Sequence, residues 1–343
     1  MSSQSARQSV QHDLDLPASA IAAGIRAGKI TAVSVVCEAL RRARAAAPLN
    51  AFTLIREAPA LEAARQADAA VAKGAVLGPL HGVPFAAKDL TPTAGDLTTL
   101  GSWTMGDWVP DQSALAVRRL QEAGAILIGK TTTPEFAYSS FTQSPRWGIT
   151  RNPWDHDRTP GGSSGGSAAV VAAGIVPFAE GSDMGGSVRI PAAFCGVVGL
   201  KPSLGRIPMT ILPSLFDNIS HFGPLARTVE DAICFLEATA GPSDEDISSV
   251  PLVFAGDRAR QGGLAGRRFA LSMDLGYYAI QPGIEAVIRQ AVAELREAGA
   301  IVDEVPITWT RAVNDQWFDL WCVFMSAFFG HLLTDFRSRM DPV

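Results

Sequence analysis

Apolar and small residues recur every three or four positions early in the chain, in PASAIAAGIRAGK, VSVVCEALRRARAAA and PALEAARQADAAVAKG, with Gly, Pro or Thr between them. That spacing predicts amphipathic helices from 17 to about 73, an N-terminal helical layer over about 1–75. The texture then changes. Residues 83–87 form a short apolar run after GPLHG that stops at Lys88 and Asp89, the pattern of a buried strand ending at two charges. A helix over 113–123, a closing Gly124 and an apolar strand at 125–128 follow. The same sequence of signals returns later. Ile284, Val287, Ile288, Ala291, Val292, Leu295 and Ala298 mark one helical face, Gly299 ends it, and 300–305 resumes as a strand.

Helices alternating with buried strands predict an α/β fold: a mixed, largely parallel central sheet covered by helices on both faces. We read one domain over 1–343, with the helical layer at about 1–75, a catalytic α/β core at about 76–310 and a C-terminal segment at 311–343. Between the strand units lies 159–205, where GGSSGG and GSDMGGS are separated by a helix-like stretch at 167–174 and a strand-like one at 176–179. A flexible linker would lack those apolar inserts, so the glycines punctuate ordered structure. Residues 242–263 read as a surface connection.

Composition narrows the function classes. A net charge of -5 and no dense Lys/Arg run exclude direct nucleic-acid binding through a basic surface. Cys37, Cys195, Cys234 and Cys322 are scattered without a CxxC pair, which predicts mostly buried, reduced thiols and no metal site. The N-terminus has no basic start followed by an apolar core, so the expected location is cytoplasmic. The apolar stretch 317–333 is interrupted by Asp319, Ser326, Gly330 and His331 and is expected to be a buried helix or pocket wall, with no membrane.

Candidate chemistry lies in the glycine clusters. Ser187 follows Gly185 and Gly186, two residues without Cβ whose backbone N–H groups can approach a substrate oxygen closely. A serine hydroxyl needs a base, and His12, His81, His156, His221 and His331 form no evident triad; His81, in a turn before the strand, reads as structural. A lysine serves instead if burial leaves it partly uncharged, and Lys88 at the end of its apolar strand is placed for that.

Four ordered motifs together resemble the amidase signature family: GPLHGVPFAAKDL around Lys88, TPGGSSGGSAAVVAAG around Ser163, GSDMGGSVRIPAAFCGVVGLKPSLGRIP around Ser187, and FGPLARTVEDA from Phe222. The likeness runs over about 78–232. It implies hydrolysis of a carboxylic amide C–N bond through a serine acyl-enzyme, with Ser187 as nucleophile, Ser163 relaying the proton after a cis peptide bond, and Lys88 as base. It also implies an oxyanion hole from the backbone amides of Met184, Gly185, Gly186 and Ser187, with Ser164, Asp183 and Arg189 bracing the site. No cofactor or metal is implied. The partner is a small-molecule amide substrate, and a homo-oligomer is compatible with the sequence. Residues 138–147 and 208–216 are candidate pocket segments.

Other readings use the same residues. Gly124 to Thr131 satisfies the string of a phosphate-binding loop, yet its middle residues read as the strand itself. Gly161-Gly162-Ser163-Ser164-Gly165 satisfies GxSxG, which requires a downstream acid and histidine. Within the family, the amidase-like component of a glutamyl-tRNA amidotransferase shares every motif, but it usually carries glutamine where this chain has Ile190. Family members also continue beyond Asp341-Pro342-Val343, so the resemblance implies an incomplete C-terminal part and raises an inactive, truncated member as an alternative. Glu180, where the family usually has an apolar residue, and Ala87 are further departures.

Overall fold

Ala18, Ile21, Ala22 and Ile25 repeat at helical spacing and are the buried positions of α1 (Ala18–Arg26). In α2 (Ala32–Ala45) the buried set is Ala32, Val35, Val36, Ala39, Leu40 and Ala43, and Thr31 starts the helix by accepting the Ser34 N–H on its hydroxyl. A computed structural model describes residues 12–211, 219–252 and 254–342. Within the expected helical layer it contains a strand, β1 (Phe52–Ile55), before α3 (Glu57–Ala72). Four residues lie below the length at which periodicity separates a strand from a helix end.

The described residues fall into two compact units where one domain was expected: Met1–Gly256 with Asp335–Val343, and Asp257–Thr334. The first unit contains β2 (Pro84–Lys88), α4 (Leu115–Glu122), β3 (Ile126–Thr131), a short pair β4 (Gln143–Ser144) and β5 (Gly148–Ile149), α5 (Gly165–Ala172), β6 (Phe178–Asp183), α6 (Arg189–Cys195), β7 (Val198–Gly199), β8 (His221–Ala226) and α7 (Val229–Thr239). Its sheet has the order β1-β3-β2-β6-β8-β7. The central pairs β3/β2 and β2/β6 are parallel, and the flanking pairs β1/β3, β6/β8 and β8/β7 are antiparallel. The sheet is thus mixed, with its parallel part where the strands are fully buried.

Phe178 on β6 stacks on Phe85 of β2 at 6.2 Å and meets Phe235 of α7 edge-on at 5.8 Å, fastening the two central strands to a covering helix. Every residue of α5 from Gly165 to Val171 is buried, as expected of a helix apolar on all sides.

The second unit contains most of α8 (Gly256–Arg260), then β9 (Arg268–Leu271), α9 (Pro282–Glu297), β10 (Ile301–Glu304) and α10 (Ala312–Phe329). The strand expected near 300–305 pairs in parallel with β9 in a separate two-stranded sheet, not with the central one. Of the apolar face expected on the helix before it, only Val292 is buried, in a small cluster with Ala300 and Val302. No residue of α10 is buried, contrary to the expected core helix. By length and composition the stretch Ala312–Arg339 is apolar enough to cross a membrane, though it carries Asp315 and Asp319, which a bilayer core disfavours. Cys195 and Cys234 are buried, whereas Cys37 and Cys322 are exposed, so the thiols are less uniformly buried than expected.

Phe178→Ala removes the ring that joins β2, β6 and α7. It is expected to lower stability by about 3–5 kcal/mol, read as an earlier midpoint in denaturant unfolding with an unchanged slope.

Candidate active site

β2 carries its last residue, Lys88, to a position that is fully buried. The Lys88 Nζ donates to Ser163 Oγ at 2.6 Å and to Ser182 Oγ at 3.0 Å. Ser163 and Ser164 are fully buried, and the Gly162–Ser163 peptide bond is cis. The turn tolerates no side chain at Gly162, where a Cβ would lie 2.9 Å from the backbone of Ser140 and Phe141. Burial pushes the Lys88 amine down to about 7, against the pull of the Glu180 and Asp183 carboxylates.

The second glycine cluster follows β6. Asp183, the last residue of that strand, accepts from the Gly186 N–H at 2.8 Å and from the Val188 N–H at 3.2 Å. Arg189 adds a bidentate pair to the same carboxylate, Nε to Oδ2 and Nη2 to Oδ1, both at 2.9 Å. Burial opposes the charge on Asp183, but the guanidinium and the backbone amides outweigh it and hold the carboxyl below its ordinary range. Asp183 thereby fixes the curve of the chain that presents Ser187, which is half-buried. The Ser187 carbonyl accepts the Ser164 N–H at 3.1 Å, so the two serine turns are tied together. Ser164 also donates its hydroxyl to the Ser182 carbonyl at 3.2 Å.

The expected set of backbone donors needs one correction. The Gly186 amide is engaged by Asp183, which leaves those of Met184, Gly185 and Ser187 as the candidates for a substrate oxygen. Met184 is half-buried and Gly185 exposed, so this side of the turn is open to an incoming molecule.

Three residues of the site had no role assigned by the sequence. Ser182 gives Lys88 its second hydroxyl. Glu180 accepts from the Lys88 backbone N–H at 2.9 Å and from the Thr91 hydroxyl at 3.0 Å, and both it and Thr91 are fully buried. Burial pushes the Glu180 carboxyl up to about 7 despite those donors and the nearby Lys88 charge. Glu180 and Ser182 are two apart on β6 and so share a face, a signal available in GSDMGGS and the residue before it.

The phosphate-loop reading fails here: Lys130 is fully buried inside β3, 3.3 Å from Asp89 Oδ1 and donating to the Thr91 carbonyl. Ser163 faces a lysine, and the His221 ring lies on the Ile219 and Asp183 carbonyls, so the GxSxG reading lacks its histidine at that place. His81 is structural as expected, its Nε2 3.0 Å from the Ala67 carbonyl. Of the pocket segments, 138–147 borders the Ser163 turn: Thr142 Oγ1 donates to the Gly161 carbonyl and accepts the Gly165 N–H. The other segment lies at 212–216 outside the described residues.

The family model for amidases matches residues 34–340. This chain belongs to the amidase family. Among curated proteins it is 45% identical over 253 residues to the amidase-like component of the glutamyl-tRNA(Gln) amidotransferase of Moorella thermoacetica, covering 74% of this chain and 52% of that protein. It is 43% identical over 263 residues to an acylamidase of Rhodococcus erythropolis, covering 76% and 54%. A bacterial aryl acylamidase of the amidase signature family superposes with a TM-score of 0.84 at 31% identity, over 90% of this chain and 64% of that one. The chain thus spans little more than half the length of these curated relatives.

Asp183→Asn is expected to destabilise this amidase-family fold by about 2 kcal/mol or more at pH 7, through loss of the charged acceptor. Because the native carboxyl is held low, its contribution is present above the ordinary aspartate value of about 3.9 and lost as pH falls further. Wild-type and variant unfolding free energies should therefore converge in acid.

Proposed function

We propose that the chain hydrolyses a carboxylic amide, releasing ammonia or an amine, through an acyl-enzyme on Ser187. The observation that carries this reading is the 2.6 Å contact between a fully buried lysine amine and the Ser163 hydroxyl. An ammonium there would have no carboxylate in direct contact, whereas a neutral amine can take a proton.

Ser187 Oγ attacks the amide carbon while its proton passes to Ser163 and the Ser163 proton passes to Lys88 Nζ. The negative oxygen of the tetrahedral intermediate is received by the amides of Met184, Gly185 and Ser187. Collapse returns the proton along the same path to the leaving amine, and a water molecule repeats the cycle on the ester. Asp183 and Arg189 hold the turn, and Ser164 ties it to the Ser163 segment. The reading needs no metal or organic cofactor.

A second reading stays within the family. The likeness to glutamyl-tRNA(Gln) amidotransferase components supports release of ammonia from glutamine together with a partner protein. Ile190, which replaces the glutamine usual there, favours the free-standing hydrolase. Turnover of glutamine in preference to aryl and alkyl amides would reverse that choice.

The test is an amide panel assayed with wild type, Lys88→Ala, Ser163→Ala and Ser187→Ala. Each variant is expected to lose about 10³-fold or more in kcat/KM, and retained turnover in Lys88→Ala or Ser187→Ala removes the mechanism. Because the base works unprotonated, activity should rise with pH through about 7, where burial has brought the lysine; a profile rising toward acid contradicts it.

A further inference from the structure

Glu180 stands in the interior of β6, fully buried, with no part in the proton path. Its Oε2 accepts the backbone N–H of Lys88 at 2.9 Å and its Oε1 accepts the Thr91 hydroxyl at 3.0 Å. Both donors flank the strand end that aims the lysine, and Ser182, two residues on from Glu180, receives the lysine Nζ. We propose that Glu180 is a positioning residue whose carboxyl grips the end of β2 and sets the pH at which Lys88 loses its proton. This bears on catalysis only through the reading of Lys88 as the base.

The charged surroundings are few. β2 supplies Lys88 and Asp89, β3 supplies Lys130, which is paired with Asp89, and β6 ends in Asp183, which is held by Arg189 of α6. α5, whose Ser167 hydroxyl donates to the Glu180 carbonyl, brings no titratable group. β8 pairs with β6 and carries His221 opposite Asp183. Glu180 and Asp183 are thus the carboxylates that favour a charged Lys88, and Asp183 is already neutralised by a guanidinium. An ionised Glu180 stabilises the ammonium, whereas a protonated one releases it.

The experiment compares wild type with Glu180→Gln, Glu180→Asp and Thr91→Val in two readouts: the pH profile of kcat/KM, and the pH titration of Lys88 by ¹³C NMR of ε-labelled lysine, assigned with Lys88→Ala. Glutamine keeps an oxygen for the Lys88 N–H and an amide for Thr91 but removes the charge. Its Lys88 midpoint and its rate limb should both move to lower pH by about one unit or more. Aspartate keeps the charge and should keep the midpoint near the wild-type position. Thr91→Val removes one donor, weakens ionisation of Glu180 and should move the midpoint in the same direction by less, which tests the idea even if Glu180→Gln fails to fold. A midpoint unmoved in Glu180→Gln and Thr91→Val, or moved equally in Glu180→Asp, overturns the proposal. A moved midpoint with an unmoved rate limb supports it and sinks Lys88 as the base instead.

Discussion

An amine held dry against a hydroxyl is the contact from which the remaining features take their sense. Lys88 lies at the end of a strand flanked on both sides by parallel neighbours, where water does not reach it. A buried, unpaired ammonium is several kcal/mol unfavourable, so the position selects for the neutral form or for a carboxylate nearby. Lys130 provides the contrast one strand away. It is equally buried but sits within an ion pair of Asp89 and donates to the Thr91 carbonyl and the Thr98 hydroxyl, which is a structural use of the same side chain. Lys88 touches two hydroxyls and no carboxylate oxygen, and that difference in acceptors separates a brace from a candidate base.

Much of this was legible in the chain because several signals agreed. The apolar run before Lys88, the helix-Gly-strand unit and the spaced glycine clusters each appear within a few residues of the expected place as β2, α4, β3, α5 and β6. Lys88 and Ser163 meet as the family likeness implied. What was not legible depended on tertiary partners. Four residues of β1 carry too little periodicity to be told from a helix end, and they become a strand by pairing with β3. Whether the Gly186 amide is available depends on where the Asp183 carboxylate points, which no pattern encodes. Glu180 stood out as a charge in an apolar strand, yet its partners are a backbone N–H and a hydroxyl 92 and 89 positions away. Apolar periodicity in 284–298 and 317–333 gave the right helices and the wrong burial, since periodicity reports which face is apolar and not what covers it.

Glycine and serine in the core segment answer to packing demands from two directions. At Gly181 a Cβ would lie 2.8 Å from Ser164 Oγ, so β6 can approach the Ser164 turn only without a side chain there. That approach allows Ser164 to bond with both the N–H and the carbonyl of Ser182, and places Ser182 where Lys88 can reach it. The hydroxyls thus form a continuous mesh, with Thr131 and Ser167 at 2.7 Å behind it. Buried polar meshes of this kind hold their geometry because each lost contact leaves a neighbour unsatisfied.

The same logic extends to the segment nearest the opening. The Phe141 backbone packs on Gly162, and Thr142 bonds the carbonyl of Gly161 and the N–H of Gly165, so this loop is fastened to the turn that carries Ser163. Further along it, Arg146 stacks on Trp103 and Trp147, and the Trp147 indole donates to Thr99, whose hydroxyl meets Asp89 at the end of β2. Side chains that vary the shape of the opening are therefore joined by short polar links to both the lysine strand and the serine turn. A substitution there that moves the backbone also moves the contact between Lys88 and Ser163, so changes in selectivity and in proton transfer are mechanically linked in this fold.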